Sequence, residues 1–262
     1  MQNIEIKQEI KLWDLVTNGE LYLNGFNSGD YSVHASLARY LNKRFGNIRL
    51  SFDNVNRSPS FIYNTASIFN FGNTATYKKE NITAFKATAD NPFITLGATD
   101  YFITNYNYFT NYYQTAQYSS VIDLLQLSAS KKIKLSRHLN WYADIVVQQT
   151  DNASPIQVPL VFTRTRIAFE GTFYQNLNLS TGIEFRYYTP YKEYNYSPVM
   201  GQFFKQDPVT EHNLPDISVF MHFRLKTFTA YIRADNLNSV DFTNGLASPI
   251  TILLHQIMHI QE

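Results

Sequence analysis

Apolar and polar side chains alternate along most of this chain. In residues 177–187, Leu177, Ile183 and Phe185 take odd positions, while polar and charged residues such as Glu184 take even ones. Successive side chains of a β-strand point to opposite sides, so this period of two predicts a strand with one apolar and one polar face. The same period recurs in segment after segment. No stretch before residue 250 shows the 3.6-residue period of an amphipathic helix.

The alternation predicts twelve strands in an up-and-down order. They span residues 2–13, 19–27, 30–41, 47–57, 81–90, 92–106, 119–134, 138–149, 157–170, 177–189, 215–226 and 227–236. Many are longer than the about 5–6 residues usual for strands of globular proteins. A tilted strand that crosses a membrane needs about 9–11 residues.

The connections between these strands fall into two classes. Short connections include 41–46 and 89–92, whereas 58–80, 107–118 and 190–214 are long and rich in Tyr, Asn, Phe and Ser. From the third connection onward, short and long connections alternate. Hairpins of an up-and-down sheet lie at alternate ends, so one end is trimmed and the other elaborated, as in outer-membrane barrels.

The polar faces of the strands indicate which side of such a sheet would point into the protein. A water-soluble sheet of twelve strands would have to leave one whole face in water. A barrel with lipid outside and water inside accounts for both faces and leaves no unpaired sheet edge in the bilayer. The pattern therefore favours an all-β fold, an antiparallel up-and-down transmembrane β-barrel with about twelve strands present and the polar face inward.

Composition narrows the function further. The 262 residues carry a net charge of +1, which gives no indication of a nucleic-acid partner. There are 19 Tyr and 20 Phe but no Cys, so disulfides and thiolate metal sites are excluded. The mean hydropathy is -0.27, and no apolar run approaches the about 20 residues of a membrane helix.

Motifs for catalysis or metal binding are weak. His255 and His259 have the i, i+4 spacing of a zinc-binding helix, but residue 256 is Gln where the zinc protease pattern needs Glu. Ser128 and Lys131 match an S-x-x-K motif inside a strand pattern rather than at a helix start. We expect no enzymatic activity, no metal and no cofactor.

Two groups of residues are candidates for a role in transport. The first group would line a pore and tune solute selectivity, or else neutralise one another across strands. It comprises Arg164, Arg166, Glu184, Arg186, Arg224, Arg233 and Asp235. The second group lies in a large external loop and would constrict the mouth or make structural contacts within that loop. It comprises Gln202, Phe203, Gln206 and Asp207.

The stretch from residue 185 to 238 carries a family resemblance. An aromatic strand end leads to the loop pattern Tyr196-Ser-Pro198, Gly201-Gln202-Phe203 and Gln206-Asp207, then to Pro215-Asp216 and a strand ending Asp235-Asn236-Leu-Asn238. With earlier pieces such as 29–41, 78–90 and 121–135, this order resembles the putative porin family of Bacteroidota-type outer membranes. The resemblance covers most of residues 1 to about 247. It implies an outer-membrane β-barrel porin without catalytic residues.

Compared with that family, the chain departs at both ends. Members look longer at the front, with a signal peptide and further strands, and they end on an aromatic-rich strand. Here no aromatic residue follows Phe242. We expect residues 1–249 to be strands and loops of a larger barrel and 250–262 to be an aberrant, frameshifted tail, which makes the chain a C-terminal fragment. Expressed alone, this fragment should fail to insert stably and should form no channel.

The leading functional interpretation is a passive diffusion channel for small solutes in the bacterial outer membrane. Its partners would be outer-membrane lipid and the barrel-assembly machinery, with no nucleic acid. One alternative is a structural or adhesive barrel without an open pore, or part of a gated transporter. A more distant alternative is a soluble β-rich carbohydrate-binding protein whose Tyr-rich loops stack on sugars.

Overall fold

The computed structural model describes residues 2–10, 13–68, 75–151, 153–173, 176–212, 215–226 and 228–237, with the backbone alone for 2–10. The tail that we interpret as aberrant, 250–262, lies outside the described residues together with His255 and His259. Among the described residues, no helix is both long and apolar enough to cross a membrane.

The described strands form two sheets. In chain order they are β1 (Gln2–Ile10), β2 (Trp13–Leu21), β3 (Tyr31–Asn42), β4 (Gly46–Arg57), β5 (Glu80–Asp90), β6 (Thr95–Thr104), β7 (Tyr106–Phe109), β8 (Thr115–Tyr118), β9 (Ile122–Lys134), β10 (Leu139–Thr150), β11 (Val161–Phe173), β12 (Leu177–Tyr188), β13 (Asn195–Ser197), β14 (Gln202–Phe204), β15 (Asp216–Leu225) and β16 (Phe228–Ala234). A 3-10 helix, Phe61–Tyr63, lies between β4 and β5.

The larger sheet has twelve strands in the order β1-β2-β3-β4-β5-β6-β9-β10-β11-β12-β15-β16. Neighbours follow chain order, as an up-and-down sheet requires, and the registers that join them are antiparallel. The all-β, antiparallel fold predicted from the two-residue period is therefore confirmed. We refer to this sheet as the large sheet.

One predicted strand, 19–27, is misplaced. The first hairpin closes where Ile10 pairs with Trp13, so β2 ends at Leu21. Residues 22–30 form a loop, in which Gly25 and Gly29 have φ of 80° and 77°. This left-handed backbone suits glycine and cannot belong to a strand. The loop closes through hydrogen bonds from the Tyr22 amide to the Asp30 carbonyl (2.9 Å) and from the Gly29 amide to the Tyr22 carbonyl (2.8 Å).

Because residues 22–30 form a loop, short and longer connections alternate along the whole large sheet. The longer connections of the large sheet are 22–30, 58–79, 105–121, 151–160 and 189–215. Each is preceded and followed by a shorter one, such as 43–45, 91–94 and 135–138. The alternation therefore starts at the first connection, not at the third as the sequence indicated, because 22–30 is a loop rather than a strand.

The chain divides into two compact units. The first unit consists of Met1–Lys131, Asp144–Phe162 and Tyr188–His212, and the second of Lys132–Ala143, Thr163–Tyr187 and Asn213–Glu262. The first holds β1–β6 and nearly all of the longer connections. The second holds nearly all of β11 and β12, together with β15 and β16.

Burial in the large sheet is inverted relative to a water-soluble protein. On β12, Ile183 is 43 % exposed while its neighbour Glu184 is 1 % exposed. The register places Ile183 opposite Val219 and Glu184 opposite Ser218, so each face continues onto β15. We call these two sides the apolar face and the polar face. The apolar face exposes large side chains in both units, among them Leu50, Phe85, Leu127, Ile167, Ile183 and Val219.

The smaller sheet was not predicted. It belongs to the first unit and has the order β13-β14-β7-β8, built from two of the longer connections. We call it the loop sheet. Its core consists of Phe109, Met200 and Phe204, with Ile62 and Tyr63 packed against them from a third connection. These apolar side chains are buried in the ordinary way for a domain in water.

Candidate functional site

The most concentrated group of charges on the polar face surrounds Glu184 in the second unit. Arg164 donates from Nε and Nη2 to Oε2 of Glu184, at 3.0 and 2.9 Å. Arg186 donates to Oε1 at 2.8 Å, and Arg233 donates to the same oxygen at 3.0 Å. Three guanidinium groups thus share one carboxylate that is almost fully buried.

Strand register explains why these side chains meet. Glu184 and Arg186 are two residues apart on β12 and therefore point to the same side. Glu184 pairs with Ser218 of β15, while Phe220 pairs with Arg233 of β16. Arg233 also donates to Asp235 at 2.6 Å and to the Ser218 hydroxyl at 3.4 Å.

The number of donors around Glu184 has an energetic reason. A buried carboxylate is costly unless charge-assisted hydrogen bonds replace its water. Guanidinium groups provide these bonds in a rigid planar fork, and here they occupy both carboxylate oxygens. The arrangement fixes the direction of each arginine more firmly than an exposed ion pair would.

A second polar cluster surrounds Glu170 of β11. The Tyr142 hydroxyl donates to Oε1 at 2.7 Å, and Asn140 and Lys132 donate to Oε2 at 2.8 and 3.3 Å. These residues also belong to the second unit. The cluster continues the polar face from β9 to β11.

Arg166 lies between the two clusters. Its guanidinium carbon is 4.3 Å from the Tyr142 ring centroid and 5.6 Å from that of Phe220. Gly182 lies opposite Phe220, and a Cβ there would stand 2.1 Å from the Ile167 carbonyl oxygen, so only glycine fits. Glycine at this position therefore permits the close approach of the β11 backbone.

Of the residues proposed to line a pore, the structure joins Arg164, Glu184, Arg186, Arg233 and Asp235 in one network. Arg166 shares their face but stacks on aromatic rings instead. Arg224 also shares this face, where it lies opposite Asn178 and Thr229 close to the β15–β16 turn.

Sequence reasoning missed several members of these clusters. Ser218 occupies an even position of β15, and Tyr142 and Asn140 occupy even positions of β10. Their place on the polar face was visible in the alternation. Their hydrogen-bond partners could not be predicted, because those partners depend on which strands are neighbours and on the register between them.

The four proposed loop residues make contacts within the first unit. Gln206 holds two parts of the 189–215 connection together, since its side chain donates to the carbonyls of Glu193 and Val209. Asp207 accepts from Lys205 at 3.0 Å, and this hydrogen bond holds the pKa of the Asp207 carboxyl below its usual range. Gln202 and Phe203 belong to β14, where the Phe203 ring lies 5.2 Å from that of Tyr196.

Tyrosines tie the connections to one another. The Tyr194 hydroxyl donates to the Pro155 carbonyl at 2.8 Å and accepts from the Gln157 amide at 3.1 Å. Burial raises the pKa of Tyr63 to about 12, so its phenol stays neutral and donates to the Asn107 carbonyl at 3.3 Å. Together with the core of Phe109, Met200 and Phe204, these hydrogen bonds join four of the longer connections within the first unit.

Metal ligands are scarce on this surface. Over the part of the chain that the structure describes, no group of three or more His, Cys, Asp or Glu side chains is placed to hold a metal ion. Glu184 and Glu170, the carboxylates of the two clusters, are instead bonded to arginine, lysine, tyrosine and asparagine.

An antiparallel sheet that exposes its apolar face and satisfies charges on the other has the polarity of outer-membrane β proteins. A family model described as Putative porin matches residues 3–246, and the chain belongs to that family. Family and fold together define a porin-like outer-membrane β protein. None of the curated proteins matches this chain.

Proposed function

We propose that this protein forms a passive diffusion channel for small solutes in the bacterial outer membrane. The observation that carries the proposal is the inverted burial of the large sheet, with Ile183 exposed and its neighbour Glu184 buried. A sheet of this polarity is stable where hydrocarbon meets the apolar face and water meets the polar face. The polar face would then form the wall of a water-filled lumen.

Diffusion through such a lumen requires neither a catalytic residue nor a cofactor. Its partners would be lipid on the apolar face and the assembly machinery that inserts outer-membrane barrels. The strands support this, because β11 and β12 extend over 13 and 12 residues and a tilted membrane strand needs about 9–11.

A barrel without an open pore is a second candidate. The observation that favours it is the loop sheet, in which three connections share a core of Phe109, Met200 and Phe204. Packed loops of this kind can cover the mouth of a barrel. The two candidates agree on membrane insertion and differ in conductance.

Planar-bilayer recording tests the proposal. The complete barrel, assembled in bacterial outer membranes and then purified in detergent, should migrate as a heat-modifiable species and produce stepwise conductance. Ser180→Trp places a large ring on the polar face and should lower the conductance. Leu179→Trp, one residue away on the apolar face, is the matched control and should leave it unchanged. A heat-modifiable protein that gives no conductance would contradict the channel and favour the closed barrel.

A further inference from the structure

We propose that Arg164 and Arg166 form a binding site for small oxyanions, meaning solutes that carry a phosphate or carboxylate group. We call this pair the oxyanion site. The inference rests on the proposed function only in treating the anion as a solute in transit along the polar face. Both arginines belong to the second unit and lie two residues apart on the same face of β11.

The surrounding wall is basic. On the polar face of the second unit, cationic side chains outnumber anionic ones by seven to four. The cations are Lys132, Lys134, Arg164, Arg166, Arg186, Arg224 and Arg233, and the anions are Glu170, Glu184, Asp216 and Asp235. A wall with an excess of one sign raises the local concentration of the opposite ion.

This excess is a local property rather than one of the whole chain. On β2–β6 of the first unit, the polar face carries Asp14, Glu20, Asp53, Glu80 and Asp90 against Arg49, Arg57 and Lys86. The net charge of the full sequence is only +1. An oxyanion would therefore be attracted more strongly to the polar face of the second unit than to the polar face of β2–β6.

Arg164 supplies accessible donors. A guanidinium carries five N–H groups, and Glu184 engages Arg164 through Nε and Nη2. Among the described residues, no other hydrogen-bond partner of Arg164 is found. Its side chain is 42 % exposed, the most exposed of the three arginines on Glu184. Glu184 is thus a positioning residue that holds this guanidinium in one orientation.

Arg166 supplies a second, independent observation. Its Nε is buried and has no hydrogen-bond partner among the described residues. Leaving a buried donor unpaired is unfavourable, more so when the group is charged. Its contacts with the rings of Tyr142 and Phe220 orient the guanidinium without using its hydrogen-bonding edge.

The spacing of the pair suits a small oxyanion. Residues i and i+2 of a strand are about 7 Å apart on one face, so two long arginine side chains can converge on one ion. The nearest carboxylates are already engaged, Glu184 by three arginines and Glu170 by Tyr142, Asn140 and Lys132. Arginine forks match phosphate and carboxylate oxygens in two parallel hydrogen bonds.

Calorimetry on the detergent-folded protein tests the site independently of conductance. Inorganic phosphate should bind saturably. Arg164→Gln and Arg166→Gln should each weaken binding by about tenfold or more, the range expected for one charge-assisted hydrogen bond. Arg224→Gln removes the same charge from the same face but lies near the β15–β16 turn, and it should weaken binding much less than either variant of the pair.

Additional titrations and variants distinguish the possible outcomes of this experiment. Parallel titrations with acetate and sulfate show which oxyanion class the pair prefers. If Arg166→Gln fails to fold, Arg166→Lys keeps the charge and removes the fork, and it should still weaken phosphate binding. Absence of phosphate binding to the folded wild type would overturn the inference, as would an equal loss in Arg224→Gln. Phosphate binding without conductance would instead count against the channel alone.

Discussion

The loop sheet and the large sheet differ in which side chains they hide. In the loop sheet, Phe109 is 2 % exposed and packs with Met200 and Phe204. In the large sheet, Ile183 and Phe85 stand on the surface, whereas Glu184 and Ser218 are buried. One chain therefore buries apolar groups in one place and charged groups in another.

The difference teaches which medium each region is built for. Burial of Phe109 removes apolar surface from water, which is the usual driving force of folding. Exposure of Ile183 carries no such cost if hydrocarbon covers it. On the apolar face, the aromatic residues Phe52 and Phe85 are followed by Asn54 and Asn81 in the direction of the longer connections. This change from apolar to polar side chains indicates where hydrocarbon ends and water begins. There the Asn54 amide donates to Asn81 at 3.1 Å.

The largest expected effect concerns the loop sheet. Phe109→Ala removes a buried ring and should cost about 3–5 kcal/mol of local stability. Hydrogen exchange should then accelerate at the amides of β7 and β14 and stay slow in β11 and β12. Phe203→Ala is the matched control, since Phe203 lies on β14 but is 42 % exposed. Equal effects of the two variants would refute an ordinary buried core.

The next effect concerns the apolar face. Ile183→Arg should destabilise the inserted protein by about 2–4 kcal/mol near the membrane midplane. Ser180→Arg, on the polar face opposite His222, should be tolerated. Urea unfolding in lipid vesicles measures both. A sensitive Ser180 with a tolerant Ile183 would reverse our assignment of the faces.

A smaller expected effect is a dependence on pH of the stability of the longer connections. Asp30 accepts from Lys79 at 2.8 Å and from the Ser58 amide at 2.9 Å. Partial burial alone would raise the pKa of this carboxyl, but the hydrogen bonds from Lys79 and Ser58 outweigh burial and lower it. A lowered pKa means that the stabilisation is present above the unfolded value near 3.9 and is lost as the pH falls further.

Proteolysis of the longer connections should therefore accelerate on acidification below about pH 4. Asp30→Asn should weaken the loop base by about 1–3 kcal/mol at neutral pH and remove this acid dependence. Asp207→Asn is the control. Its carboxyl is also paired with lysines but is 59 % exposed, so the effect should stay within about 0–1 kcal/mol. An unchanged pH profile in Asp30→Asn would contradict the role of Asp30.

Much of the large sheet followed from the period of two. Odd and even positions of residues 177–187 separate the two faces correctly, because side-chain direction on a strand depends only on parity. The pairing of Ile10 with Trp13 was missed, since alternation continues smoothly through residues 2–13 and does not reveal where one strand ends and the next begins.

The loop sheet could not be read from the sequence in the same way. β13 and β14 are three residues long, too short for a periodic pattern. β14 pairs with β7 across a large separation in the chain, and only the packing around Phe109 brings them together. The charged residues of the polar face were predicted from their even positions. The network around Glu184 was not predicted, because it depends on strand register, which odd and even positions do not determine.

The strand order also implies an order of assembly. Every strand of the large sheet pairs with its nearest neighbours along that sheet's chain order, so its hairpins can form one after another with little loop-closure cost. The parallel pairing of Phe204 with Phe109 is different, because β9, β10, β11 and β12 lie between them in the chain. We expect the loop sheet to close after those four strands have paired, so that its formation reports that β9–β12 are in place.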